Sequence, residues 1–268
     1  MRIVVCAKEV LDPDAVNNYA LAGGLQIGAD GKTLTQSAIP RLMNAYDEQA
    51  IEAALRLRDG GVAAKLAVVS AGTDPASILR QAAALGADET AHVQVDPAAL
   101  DLTAVAKLLA AYVTKTGGAD LILCGRQASD DDQGVVPALL GERLGMPVVT
   151  VARAIAMSGD KAVRVTRVTP DGDEVVEVAL PCIVTISNEL GTPRYPTTAQ
   201  TIKARKMKPA AFTPETLGLG AGELAPRVVL TKQFVPTVQG QCEFLSGGSP
   251  AELAQALLAR LRADGAIA

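Results

Sequence analysis

Residues 119–145 read ADLILCGRQASDDDQGVVPALLGERLG. Residues 119–125 run through four apolar positions and a cysteine to a glycine, the length and character of a buried strand. A loop with three consecutive carboxylates follows, Asp130, Asp131 and Asp132. VPALLGERLG then has helical spacing and a stopping glycine, Gly145. A buried strand feeding a helix through a short loop is one unit of a parallel α/β sheet.

The same unit recurs to either side. Upstream, residues 2–8 (RIVVCAK) and 64–72 (AKLAVVSAG) read as core strands, and 89–95 (ETAHVQV) as a third. Between them lie NAYDEQAIEAALRLRDGG (44–61), a helix with Ala50, Ile51, Ala54, Leu55 and Leu57 inward, Asp47 and Glu48 in its acidic first turn and Gly60-Gly61 as its stop, and TDPASILRQAAALGA (73–87), with Thr73 or Asp74 as N-cap and Pro75 in its first turn. Residues 97–118 read as one long helix. Residues 25–35 suggest a small hairpin around Asp30-Gly31, and 146–155 a fifth strand. Strands alternating with helices at this spacing give an α/β, doubly wound parallel sheet of Rossmann-like architecture.

The rhythm changes near residue 157. Residues 161–180 alternate around Pro170-Asp171-Gly172, an added β-hairpin spanning about 157–180. CIVTIS (182–187) is a further strand. Residues 188–212 lose periodicity and carry Pro193, Pro196 and Pro209, which suits a segment extended over a partner. An extended C-terminal arm ends in an amphipathic helix with Ser249 as N-cap and Pro250 behind it. The expected division is a nucleotide-binding domain over 1–187, with the recognition loop and arm over 188–268.

Composition narrows the function. Of 268 residues 49% are apolar and 20% charged, with net charge −4, so no basic field invites nucleic acid or anionic lipid. Aromatics are 3% with no Trp, too few for base stacking. No apolar span reaches membrane length and no signal peptide opens the chain, so no membrane insertion and a cytoplasmic location are expected. Cys6, Cys124, Cys182 and Cys242 are far apart in sequence, without C-x-x-C, and so lack metal or redox spacing; Cys6, Cys124 and Cys182 sit in or beside apolar strand-like runs and read as buried thiols. His92, the sole histidine, reads as a strand residue.

In open α/β sheets ligands bind outside the carboxyl ends of the strands. Here those ends are Cys6-Ala7-Lys8, Ser70-Ala71-Gly72 and Gly125 onward, all rich in small residues. The acidic loop opens onto a helix N-terminus, where its carboxylates serve as caps or shape a loop whose amides hold phosphate. The common phosphate motifs are missing. No G-x-G-x-x-G follows the first strand, and Gly31-Lys32-Thr33 lacks the earlier glycine of a Walker A, Gln26 standing there. VSAGTD (69–74) faintly resembles an ATP pyrophosphatase loop, with Ala71 where a glycine belongs. No nucleophile–base pair is visible.

The acidic loop C-G-R-Q-A-x-D-D-D, NAYDEQAIEAALRL (44–57), VVCAKEVLDP (4–13) and NELGTPRYPTTAQTIKARKMK (188–208) together resemble the beta subunit of electron transfer flavoprotein, from Arg2 to about Lys208. The resemblance implies a nucleotide fold of the adenine nucleotide alpha hydrolase-like kind. It implies a heterodimer with an alpha subunit that holds most of a redox FAD, shuttling electrons between flavin dehydrogenases and a quinone reductase or similar acceptor. It also implies a second site in the beta subunit, taking AMP or, in electron-bifurcating members, a second FAD. Carried over by position, that site comprises Cys6; Asn44, Ala45, Tyr46 and Asp47; Ala71; and the loop Gly125, Arg126, Gln127, Ala128, Ser129, Asp130, Asp131, Asp132, Gln133, Gly134 and Val135. Asn44 also reads as an N-cap, and Arg126 and Gln127 equally as solvated loop residues. The partner-recognition residues are Pro193, Arg194, Tyr195, Pro196, Thr197 and Thr198. Two departures stand out: Thr198 occupies the position where many members carry a leucine anchor, and the loop after the aspartates differs in spacing. Lys203, Arg205, Lys206 and Lys208 form a basic cluster that either steers an acidic partner or is a solvated face. Two other readings compete: an adenine-nucleotide sensor of the universal-stress type, which has no use for the tail after residue 188, and an ATP pyrophosphatase-type enzyme, which needs a glycine-rich loop after the first strand.

Overall fold

In a computed structural model, which describes residues 1–235 and 242–267, the chain divides into two compact units, Met1–Gln233 and Phe234–Ala268. The first contains β1 (Arg2–Cys6), β2 (Glu9–Leu11), α1 (Pro13–Leu21), β3 (Arg41–Met43), α2 (Ala45–Asp59), β4 (Lys65–Gly72), α3 (Ala76–Leu85), β5 (Glu89–Gln94), α4 (Leu102–Lys115), β6 (Leu121–Gly125), α5 (Val136–Leu144), β7 (Val148–Met157), β8 (Ala162–Thr169), β9 (Gly172–Ala179), β10 (Cys182–Ile186), α6 (Thr198–Ala204) and β11 (Ala210–Phe212).

The main sheet has the order β11-β5-β4-β1-β6-β10-β7-β8-β9. Its pairs are parallel from β11 to β7 and antiparallel across β7-β8-β9. The chain lays strands to one side of β1, then crosses to lay β6 on the other. The order therefore reverses between β1 and β6, the position at which open α/β sheets part to admit a ligand. Every residue of β6 and β10 is buried, which is why those strands read as unbroken apolar runs.

Alternation along the strands sends side chains to two cores. Ile3, Val5, Leu121 and Leu123 face α2 and α3 through Ile51 and Leu79. Val4, Val69 and Ile122 face α4 and α5 through Leu108, Leu109, Tyr112 and Leu140. Helices on both faces make the sheet doubly wound, as the strand–helix alternation predicts.

Several elements differ from the sequence reading. The expected helix over 97–118 is split: a 3₁₀ turn at Pro97–Ala99 precedes α4. Asp101 makes the break, its Oδ1 accepting the Ala104 amide at 2.9 Å as N-cap while its Oδ2 accepts the Arg227 and Val228 amides. α3 starts one residue later than expected, with Pro75 at the N-cap position and Asp74 accepting the Ala76 amide at 3.3 Å. The hairpin at 25–35 is a single antiparallel bridge, Ile27 with Leu34. The segment 188–212 has regular structure: a 3₁₀ turn (Asn188–Leu190), α6 and β11. Thr197 and Gln200 form a reciprocal capping box on α6, and β11 extends the sheet beside β5, where Phe212 packs edge-on against Tyr112 at 5.3 Å. β10, read from sequence only as a further strand, inserts between β6 and β7.

The second unit contains α7 (Pro250–Ala263), capped as expected by the Ser249 hydroxyl, which accepts the Glu252 amide at 3.3 Å. Among the described residues no helix is long and apolar enough to cross a membrane. No cluster of three or more His, Cys, Asp or Glu among them could hold a metal ion.

Candidate functional site: a cleft at the reversal of strand order

A cleft of about 170 Å³ opens beyond the carboxyl ends of β1, β4 and β6. Its floor is made of small side chains, Cys6 at the end of β1 and Ala7 after it, Ala71 at the end of β4, and Cys124 and Gly125 at the end of β6. Gly125 is required by crowding: a Cβ there would meet Asp47 Oδ1 at 2.5 Å and Tyr46 Cβ at 2.7 Å.

Asp47 ties the two strands that flank the reversal. Its Oδ2 accepts the Lys8 amide at 2.8 Å and its Oδ1 the Gly125 amide at 2.9 Å. Burial pushes this carboxyl from the ordinary 3.8 up to about 7, against the amide bonds, which pull it down. One turn earlier, Asn44 stands at the N-cap position of α2 but makes no capping bond with its side chain. Its Nδ2 donates to the Gln127 carbonyl at 2.8 Å and its Oδ1 accepts the Ser129 amide at 3.2 Å. The sequence reading of Asn44 as an N-cap holds for its place and fails for its bonds, because the acidic loop claims both polar atoms.

That loop is held from within. Gln127 Nε2 donates to Asp132 Oδ1 at 2.7 Å. Asp132 (φ 52°) and Gly134 (φ 61°) have left-handed backbone, and a Cβ on Gly134 would lie 2.7 Å from the Arg126 carbonyl. Lys8, two residues past β1, reaches Asp130 Oδ1 at 2.6 Å and Asp131 Oδ2 at 3.4 Å, so these two aspartates, still partly exposed, have a cation beside them. Arg126 stacks over the Tyr46 ring, 5.5 Å from its centroid. The Gly134 and Val135 amides, just ahead of α5, donate to no acceptor among the described residues. They are free amides at the positive end of a helix dipole.

Of the residues singled out from sequence, Cys6, Asn44, Asp47, Ala71, Gly125, Gln127, Ala128, Asp131, Gln133, Gly134 and Val135 line the cleft. Ala45, Tyr46, Arg126, Ser129, Asp130 and Asp132 stand behind its walls, and most of them brace the loop as described. The sequence reading missed the apolar part of the lining, Val95, Leu100 and, on α4, Leu102, Val105 and Leu109. The i, i+3, i+7 spacing of the last three was the available signal.

The proline-rich segment lies at the other end of α2. Arg194 Nε and Nη2 donate to Glu52 at 2.8 and 3.2 Å, and Nη2 also to Asp59 Oδ2 at 2.6 Å. Arg56 bonds Glu52 at 2.8 Å and the carbonyls of Leu190 and Thr192. Burial alone would raise the Glu52 carboxyl, but the Arg194 and Arg56 hydrogen bonds hold it below its ordinary value. Tyr195 projects outward, 88% exposed. Thr197 caps α6, Thr198 is exposed in its first turn, and Pro193 and Pro196 are half-buried. Ile202 is an exposed apolar residue on α6 beside the basic residues Lys203, Arg205, Lys206 and Lys208.

Comparison with known proteins places this arrangement. The family model described as the electron transfer flavoprotein domain matches residues 31–216. The chain is 35% identical over 268 residues to the caffeyl-CoA reductase-Etf complex subunit CarD of Acetobacterium woodii, covering 98% of each chain. It is 34% identical over 268 residues to the electron transfer flavoprotein subunit beta of Thermoanaerobacterium thermosaccharolyticum, covering 97% of this chain and 98% of that protein. It is 36% identical over 212 residues to the corresponding subunit of Syntrophomonas wolfei, covering 79% of each. The chain belongs to the electron transfer flavoprotein family, among its beta subunits.

Proposed function

We propose that the chain acts as the beta subunit of a heterodimeric electron transfer flavoprotein and that its cleft binds an adenylate. The role in electron transfer follows from the family; the nucleotide and the partners are inferred. The observation that carries the reading is the cleft's place and lining. It sits at the reversal between β1 and β6, and its lining includes both apolar side chains (Val105, Leu109) and the free amides of Gly134 and Val135. An adenine ring suits the first, and phosphate suits the second together with the Lys8 ammonium. The adenylate moiety is common to AMP and FAD, so either satisfies this chemistry.

A flavin, when bound, supplies the one- and two-electron redox chemistry that no side chain here provides. In this reading the chain's residues position and exclude. Asp47 fixes the separation of the β1 and β6 ends. Asn44 and Gln127 hold the acidic loop against α2. Lys8 pairs with Asp130 and Asp131 and so offsets part of the loop's negative charge, while the Gly134 and Val135 amides face the phosphate. The principal redox FAD is held jointly with an electron transfer flavoprotein alpha subunit. The segment containing Tyr195 and α6 meets flavin dehydrogenases, and a quinone reductase or similar acceptor takes the electrons onward. The described cysteines are all unpaired, in keeping with a reducing cytoplasm.

The test is co-expression. With its alpha subunit the chain should purify as a yellow heterodimer, and alone it should bind flavin weakly. A colourless, stable chain that ignores the alpha subunit contradicts the proposal and favours a stand-alone nucleotide sensor.

A further inference from the structure

We propose that Cys6 and Cys124 form a vicinal dithiol at the floor of the cleft, which a hydroperoxide closes to an intramolecular disulfide. The two cysteines lie 118 positions apart, yet the β1–β6 ladder sets them opposite each other as Cα partners. The sequence spacing, which gives no redox signal, hides a pair that topology creates. Neighbouring strands run about 4.7–4.9 Å apart, inside the roughly 4.4–6.8 Å between Cα atoms that a disulfide spans. Both side chains project to the face of Val4 and Ile122, and both line the cleft. Cys6 is half-buried and Cys124 buried. The adjoining Cys6 thiol, followed by burial, pushes the pKa of the Cys124 thiol well above its ordinary value. Cys6 is therefore the sulfur that an incoming peroxide meets, and Cys124 keeps its proton until the second step.

In the first step the Cys6 sulfur attacks the peroxide O–O bond. An S–O bond forms, the O–O bond breaks, and the leaving oxygen departs as water or an alcohol, giving a sulfenic acid. In the second the Cys124 sulfur attacks that sulfenic sulfur. The S–S bond forms, the S–O bond breaks, and the hydroxyl leaves as water with the Cys124 proton. The thiols lose two electrons and two protons, and the peroxide is reduced. Cys182 cannot compete: it pairs in register with Leu121 and faces the opposite core. Because both thiols line the cleft proposed to hold the adenylate, the reaction belongs to the nucleotide-free chain, and the test is made on that form.

The test uses the full chain carrying Cys242→Ser, which removes the exposed thiol. After treatment with hydrogen peroxide, the surviving thiols are alkylated and the digest is analysed by mass spectrometry. The expected result is a Cys6–Cys124 cross-linked peptide pair, a chain lighter by two hydrogens, and recovery of both thiols with dithiothreitol. Cys124→Ser should stop at a Cys6 sulfenic acid that dimedone traps, and Cys6→Ser should leave Cys124 alkylatable after unfolding. Circular dichroism verifies that each variant is folded. Oxidation of Cys6 to a sulfinic acid with Cys124 still free would overturn the proposal. So would a cross-link through Cys182, or no oxidation of either thiol under conditions that oxidise a free cysteine peptide.

Discussion

At the scale of single residues, Asp47 decides most. From sequence it is an acid in the first turn of a helix, worth a few tenths of a kcal/mol to the helix dipole. In the fold it is a buried acceptor for two amides on different strands. Asparagine can accept only one of those bonds, so Asp47→Asn should cost about 1–3 kcal/mol in urea unfolding. The proton linkage has a definite sign. A carboxyl raised from 3.8 to about 7 stabilises the fold fully below its unfolded value and loses that contribution as pH climbs through the folded value. The stability of the parent should therefore fall between about pH 4 and pH 7 relative to Asp47→Asn, a slope that urea titrations across that range would reveal. Gly134 makes a second residue-level prediction. Its φ of 61° and the Arg126 carbonyl 2.7 Å from a would-be Cβ mean that Gly134→Ala should cost about 1–2 kcal/mol and loosen the acidic loop, read as faster proteolysis there. Neither role was legible from composition or periodicity: Asp47 acts through amides 39 and 78 residues away, and Gly134 through the way the loop folds back on Arg126. What sequence did reveal was the chemistry of the place: small residues at strand ends, and acids ahead of a helix.

At the scale of elements, α2 is the organising piece. Its first turn holds the cleft through Asn44 and Asp47, and its last two turns hold the proline-rich segment through Glu52, Arg56 and Asp59. Arg194, read from sequence as a partner contact, spends its guanidinium inside the chain, leaving Tyr195 as the projecting side chain of the segment. Arg194→Ala should destabilise the chain by about 1.5–3 kcal/mol, the worth of hydrogen bonds to a charged group, and should speed cleavage of residues 191–197 in limited proteolysis. Unchanged cleavage would mean that Arg56 suffices alone. Elements with strong periodicity were legible: the core strands, α2, α5 and the β8–β9 hairpin. The failures have local causes. Asp101 read as one polar residue on a helix, when it is the cap that divides it. The Thr197…Gln200 capping box was present in the sequence but followed a run of prolines that suggested irregular chain. β11 has three residues and no pattern of its own, so only the free edge of β5 could assign it.

At the scale of the molecule, the doubly wound sheet followed from the strand–helix alternation, but its order did not. The insertion of β10 between β6 and β7 is a tertiary choice, and so is the meeting of β1 with β6 that creates both the cleft and the Cys6–Cys124 pair. The cleft's mixed lining predicts separable behaviour. Val105→Glu, at a half-buried position in the apolar part of the lining, should strip the adenylate while leaving circular dichroism and heterodimer formation unchanged. The most direct test of the whole account is to denature the purified heterodimer and identify the released nucleotides by mass spectrometry. The account predicts FAD together with a second adenylate, AMP or another FAD, in equal molar amount, with the second lost in Val105→Glu. A single FAD with no further adenylate, from a heterodimer that is fully folded, would contradict it.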